Sequence, residues 1–199
     1  HYSCEFNTSG MPARWYDIEM NSSKQYYNFN STVKQNAFFI ETKPILTSPT
    51  VSPELGGWGE TYTFSVNATD EDLDYMTVKL WINRSSNGWD WEEAGANYTV
   101  LGNGIIVVFV KSDYFSGNDI GQVYYKFNVS DSRGYKYETP IRNMTIEQDD
   151  VYIELIEGNG SVVNRSGTNT VTFTVKIWDA DRNVSVGNGY QGYFYYTKD

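Results

Sequence analysis

Cysteine, histidine, long apolar runs and clustered positive charge are all scarce in this chain, and each scarcity excludes something. Cys4 is the single cysteine, so no intrachain disulfide can form and the chain is not a disulfide-stapled small module. His1 is the single histidine. A Ser–His or Cys–His catalytic pair therefore has no base to use, and no zinc-ligand cluster can be assembled. The longest apolar run is Ile105–Val110, far short of the roughly 20 residues that span a bilayer as a helix. The 15 Lys and Arg are scattered singly among 25 Asp and Glu, for a net charge of −10. A phosphate backbone needs basic residues in a patch or stripe, so nucleic acid is not an expected partner. There is no phosphate-binding glycine loop. Spacing alone leaves a glycosidase-type carboxylate pair open, but every acidic cluster sits in a predicted turn. The expectation is a protein that is not an enzyme.

Aromatic residues are abundant: they make up 17% of the chain, with 17 Tyr and 6 Trp. Such a composition is too apolar for disorder, and 199 residues are enough to bury a sizeable core. Short alternating runs recur every 8–15 residues between Gly, Asn, Asp and Ser clusters, the pattern of strands joined by turns. No segment keeps apolar residues at helical spacing with caps. An all-β sandwich or barrel follows.

Asparagine followed two residues later by Ser or Thr occurs at Asn7, Asn21, Asn30, Asn67, Asn83, Asn97, Asn128, Asn143, Asn159, Asn164 and Asn183. With 18 Asn and 34 Ser plus Thr in 199 residues, composition alone gives about three such triplets. Strand parity strengthens the signal, because side chains alternate faces along a strand. Tyr62, Phe64 and Val66 oppose Asn67; Tyr125, Phe127 and Val129 oppose Asn128; Met144 and Ile146 oppose Asn143. Tyr98 and Val100 oppose Asn97, and Met76, Val78, Leu80 and Ile82 oppose Asn83. All five asparagines fall on the predicted solvent face, where a bulky glycan must sit. N-glycosylation implies an extracellular or cell-surface protein carrying covalent N-glycans.

The sequence also repeats. Thr61–Asp72 aligns without gaps on Thr170–Asp181, matching Thr61/Thr170, Thr63/Thr172, Phe64/Phe173, Val66/Val175, Asp70/Asp179 and Asp72/Asp181 at an offset of 109. Trp15–Met20 aligns on Tyr124–Val129 at the same offset, and Ile40-Glu41 on Ile146-Glu147 at 106. Residues 1–46 then read as the back half of a unit, 47–149 as a complete unit, and 150–199 as the front half of another. The Pro44–Pro53 stretch reads as one linker and Gln148–Asp150 as the second.

Residues 56–72, with the following strand Tyr75–Asn83 and the late run Val123–Asp131 before Arg133-Gly-Tyr135, resemble the immunoglobulin-like domains found in tandem in archaeal and bacterial surface proteins. The resemblance covers nearly all of 48–149 and parts of both flanks. It implies immunoglobulin-like β-sandwich repeats in tandem. The loop Glu71-Asp-Leu-Asp74 departs from the Pro-Asp-Gly-Asp of many relatives. A half sandwich can neither bury its face nor satisfy its edges. Two arrangements answer that need: a longer tandem chain, or head-to-tail pairing of half-units from copies of the same chain, which builds an open fibre. The functional expectation is a structural component of a heavily N-glycosylated filament or cell-surface stalk. The alternative is a surface adhesin or carbohydrate-binding module.

Two residue groups are candidate sites. Asp70, Asp72 and Asp74 alternate as hard-oxygen Ca²⁺ ligands do. Tyr75 stands where an EF-hand needs Gly and Trp81 where it needs Glu, so that loop type is excluded. Similarity to cadherin-like loops implies Ca²⁺ there, joined by Glu147, Asp149 or Asp150; a solvated acidic turn is the alternative. Trp89 and Trp91 share a face near Trp81, suited to stacking sugars or to packing between units. Trp81 and Trp178 fall on predicted outer faces and need cover.

Overall fold

The computed structural model describes residues 3–180, 182–186 and 192–197; His1 and Asp181 lie outside them. In chain order the strands are β1 (Trp15–Ser22), β2 (Asn30–Phe39), β3 (Ile45–Ser52), β4 (Leu55–Gly57), β5 (Tyr62–Thr69), β6 (Tyr75–Asn83), β7 (Trp91–Glu93), β8 (Tyr98–Leu101), β9 (Ile105–Lys111), β10 (Gly121–Asp131), β11 (Lys136–Glu138), β12 (Arg142–Glu147), β13 (Val151–Glu157), β14 (Thr174–Asp179) and β15 (Val184–Ser185). Among the described residues there is no α-helix, only single 3₁₀ turns at Ser85–Asn87 and Gly117–Asp119. The all-β reading holds.

Two sheets enclose the core. The larger runs β4-β12-β10-β6-β7, with β11 also on β10 and β8 also on β6; the smaller runs β3-β5-β9. The alternation expected from sequence appears directly in burial. Tyr62, Phe64, Val66 and Ala68 of β5 face Met76, Val78, Leu80 and Ile82 of β6 and Val123, Tyr125, Phe127 and Val129 of β10, all buried. Phe64 meets Tyr125 edge-on at 5.2 Å between ring centroids, and Tyr98 meets Phe109 at 4.8 Å. These are the offset geometries that ring quadrupoles favour.

The Pro44–Pro53 stretch is not a linker but largely strand β3, antiparallel to β5. Pro49, the proline within β3, is tolerated because β3 is an edge strand, where a missing N–H breaks no ladder. Pro49 sits where the pairing slips between Thr47 and Thr50, next to Ser48 at φ 52°. Such a slip is a bulge, which accommodates residues the ladder cannot pair.

The flanking segments form their own small sheets: β1 antiparallel to β2, and β13-β14-β15. Neither has an opposing sheet among the described residues. Ile18, Met20, Phe173 and Val175 are accordingly exposed, at 40–54% of their surface.

Candidate functional site: the outer sheet face and the acidic junctions

The solvent face of the larger sheet carries the sequence candidates in ordered cross-strand rows. Asn143, Tyr124, Asn83 and Trp91 form one row across β12, β10, β6 and β7. Lys126, Trp81 and Glu93 form the next, and Glu138, Asn128 and Lys79 the one after. Lys126 lies 4.6 Å over the Trp91 ring and 3.0 Å from Glu138, and Lys79 pairs with Glu93 at 2.8 Å. Trp81 is half-buried, in register between Lys126 and Glu93. Trp178 is covered as Trp91 is, with Lys176 Nζ 3.4 Å from its ring centroid. Lysine stems and charges lie over these outer indoles.

Trp89 reaches this face by a bend. Gly88 and Trp89 both have positive φ, 75° and 65°, which reverses the chain after the first 3₁₀ turn. Trp89 then lies 6.5 Å from Tyr124, and Asn83 Nδ2 donates to the Trp89 carbonyl. The bend is anchored from below. Asp119 Oδ1 accepts from Ser86 N (2.9 Å) and Oδ2 from Ser116 N (3.0 Å) and Ser116 Oγ (3.1 Å). Arg84 bonds Glu92 at 2.8 Å and stands 3.6 Å from Asp119. Burial alone would raise the Asp119 pKa, but the hydrogen bonds from Ser86 and Ser116 outweigh it and hold the carboxyl below its usual range. Burial, and the bond its hydroxyl donates to Glu92, push the Tyr114 pKa up. Nothing in local sequence pattern marks Arg84, Glu92, Tyr114 and Asp119 as one network; they meet only when β6, β7 and the 112–120 segment are assembled.

None of the eleven sequon asparagines is buried. Asn67, Asn83 and Asn128 are half-buried on strand faces, and the other eight are exposed. Asn7 Oδ1 accepts from Ser9 N at 2.9 Å and Asn164 Oδ1 from Ser166 N at 3.0 Å. These are Asx turns that engage the side-chain oxygen rather than the nitrogen.

The acidic candidates divide. Asp70 is 1% exposed; burial first, then the neighbouring Asp72 and Asp131, push its pKa up to about 7. Burial also opposes ionisation of Asp72. Its bonds with Asp70 and from Thr42 N, together with the Arg133 charge, nonetheless set it below the usual carboxylate range. Asp74 is not brought into this pair. Leu73, at φ 62°, turns the chain so that the alternation stops, and Asp74 pairs with Arg133 at 3.2 Å instead. Asp131 and Thr42 stand beside Asp70 and Asp72, contributed by residues 61 later and 28 earlier than Asp70, and sequence spacing gave no sign of them. Next to the 148–150 segment Asp149 meets Asp179 through Arg182, at 2.9 and 2.6 Å. Glu147 and Asp150 are exposed. Among the described residues no group of three His, Cys, Asp or Glu side chains forms a preformed metal cage. No helix there is long and apolar enough to cross a membrane.

No protein-family model matches this chain, and no curated protein matches it. Among solved structures, the sporulation control protein Spo0M from Bacillus subtilis overlaps 69% of this chain and 68% of its own at 9% identity and a TM-score of 0.35.

Proposed function

We propose that this chain is a structural component of an extracellular, heavily N-glycosylated filament or cell-surface stalk, built from immunoglobulin-like repeats. The observation that carries the reading is the contrast between equivalent positions at an offset of 109. Tyr62, Phe64 and Val66 are buried in the central unit, whereas their counterparts Val171, Phe173 and Val175 are exposed. Phe127 and Val129 are buried, whereas Ile18 and Met20 are exposed. The pairing supports the same correspondence. β13 lies antiparallel to β14 as β3 does to β5, and β1 to β2 as β10 does to β12. The central unit therefore supplies the template: a sheet like β13-β14 belongs against a sheet like β1-β2. Its strand order, with β3-β5-β9 in one sheet, β12-β10-β6-β7 in the other and a parallel β4–β12 edge, is compatible with an immunoglobulin-like sandwich and supports that reading. A face taken from one end meeting a different face at the other end does not close on itself, and so propagates.

Electron microscopy of the native material tests this: unbranched filaments are expected, and discrete particles alone would defeat it. The mass of the deglycosylated polypeptide separates the two routes. A mass near that of 199 residues supports complementation between copies, and a multiple of it a longer tandem chain. Glycopeptide mapping is expected to find glycan at exposed sites such as Asn97 and Asn143. Occupancy should be lowest at Asn83, whose Nδ2 is committed to the Trp89 carbonyl. Absence of glycan at every site would remove the extracellular part of the reading.

The belt of Trp89, Tyr124 and Trp91 favours a second reading, as an adhesin or carbohydrate-binding module. Glycan-array binding that disappears on Trp89→Ala and Trp91→Ala would select it.

A further inference from the structure

Resting on the N-glycosylation reading and going beyond it, we propose that the glycan of Asn143 folds back onto the larger sheet and stacks on the rings of Tyr124 and Trp89. The aromatic platform on this face is then a seat for the chain's own sugar.

Cross-strand pairing singles out the position. Asn21 and Asn30 stand opposite serines, Asn67 opposite threonine and isoleucine, and Asn128 opposite lysine and glutamate. Asn143 and Asn83 stand opposite a ring, and the ring they share is that of Tyr124, one on each side of it. The two are not equivalent. Asn83 commits its Nδ2 to the Trp89 carbonyl, so it holds the bend that brings Trp89 to Tyr124. Asn143 is exposed. On its far side β4 pairs with β12 only over Thr145–Glu147, which leaves the flank beside Asn143 clear of that strand.

The platform is held in place before any sugar arrives. The Tyr124 hydroxyl donates to Gln122 Oε1 at 2.9 Å. The Trp89 ring lies 6.5 Å from the Tyr124 ring at 59° to it, and Trp89 is 51% exposed. Rings already fixed lose little freedom on contact. Trp91 is the poorer partner, because Lys126 already lies 4.6 Å over its ring.

Reach and chemistry agree. Residues directly opposite in an antiparallel pair have Cβ atoms about 4.5–5.5 Å apart. A sugar linked to Asn143 Nδ2 therefore begins beside the Tyr124 ring, and the next one extends towards Trp89. A pyranose presents a face of C–H groups, and the face of an aromatic ring carries the negative lobe of its quadrupole. Such a contact is weak between free molecules. A short tether raises the local sugar concentration to about the millimolar range, without any further contact. An attached glycan thus has the advantage over a free oligosaccharide. Stacking would cover the exposed indole and lay the glycan along the strands.

The test uses the glycosylated chain. Carbon–proton correlation spectra should show sugar signals that vanish in Asn143→Gln and are shifted upfield by ring currents. Tyr124→Leu should return them to ordinary positions, whereas Tyr124→Phe keeps the ring and should keep the shift. Asn143→Gln is expected to lower the melting temperature by about 2–4 °C, and by less than half of that in a Trp89→Ala background. Glycopeptide mapping separates the two ways of failing. A bare Asn143 beside other occupied sequons overturns this assignment alone, and glycan at no sequon removes the glycosylation reading with it. An occupied Asn143 with unshifted sugar signals, and with the same melting loss in both backgrounds, also overturns it. So does binding of free oligosaccharide by the fully glycosylated chain that Trp89→Ala abolishes, since the platform would then be open to foreign sugar.

Discussion

Phe127→Ala is expected to cost about 3–5 kcal/mol of unfolding free energy, the usual range for removing a fully buried ring. Phe127 has no exposed surface. Its ring lies 5.9 Å from Phe109 on the opposing sheet and 6.1 Å from Tyr125 on its own strand. Truncation opens a cavity at the middle of the sandwich, where neither sheet can collapse without breaking its ladder. Domains are stable by about 5–15 kcal/mol in all, so the urea midpoint should fall by about a fifth or more. The informative comparison is Ile18→Ala, the equivalent position in the β1-β2 sheet. Ile18 is 40% exposed, and in the isolated chain its truncation should cost under about 1 kcal/mol. Under the proposed end-to-end pairing the same change should weaken association, because Ile18 would take the place that Phe127 has in the central unit. Equal losses at the two positions in the isolated chain would show that the β1-β2 face is already covered, and would remove the main support for the repeat reading.

Asp119→Ala should cost roughly 1–3 kcal/mol, since it removes a buried carboxylate that accepts three hydrogen bonds. It leaves the Ser86 and Ser116 N–H groups without an acceptor and takes a carboxylate from beside the largely buried Arg84. The loss should be local in its signature. The 84–92 bend carries Trp89 and Trp91, so the near-ultraviolet circular dichroism of tryptophan should weaken more than the far-ultraviolet strand signal. The network also sets a pH dependence. The folded carboxyl titrates below its usual range, so its stabilisation is complete above about pH 4, the ordinary Asp value, and is lost as pH falls through the folded pKa. Asp119→Asn should therefore flatten the acid limb of the stability curve relative to wild type. An unchanged acid limb would show that other carboxylates set it.

How much of this was legible in the sequence depends on the range of the interaction. The strands of the central unit were readable because a half-buried strand writes its environment as a period of two, and β5, β6 and β10 keep that period without a break. The outward asparagines followed from the same parity. The linker assignment at 44–53 failed because proline marks a break in a central strand but not at an edge, and edge position is a property of the sheet rather than of the segment. Asp74 parts from Asp70 and Asp72 because the backbone turns at Leu73, at φ 62°, a turn that period-two alternation does not announce.

By itself the sequence determined the all-β character and the surface placement of its sequons, since each depends on local alternation. Only the tertiary structure decided which charges meet. It brought Thr42 and Asp131 to Asp70 and Asp72, sent Asp74 to Arg133, and gave Asp179 a guanidinium that Asp70 lacks. The physical reason is the same throughout. Burial and charge pairing are set by residues distant in the chain, and a carboxylate's neighbours across two sheets leave no trace in the spacing around it.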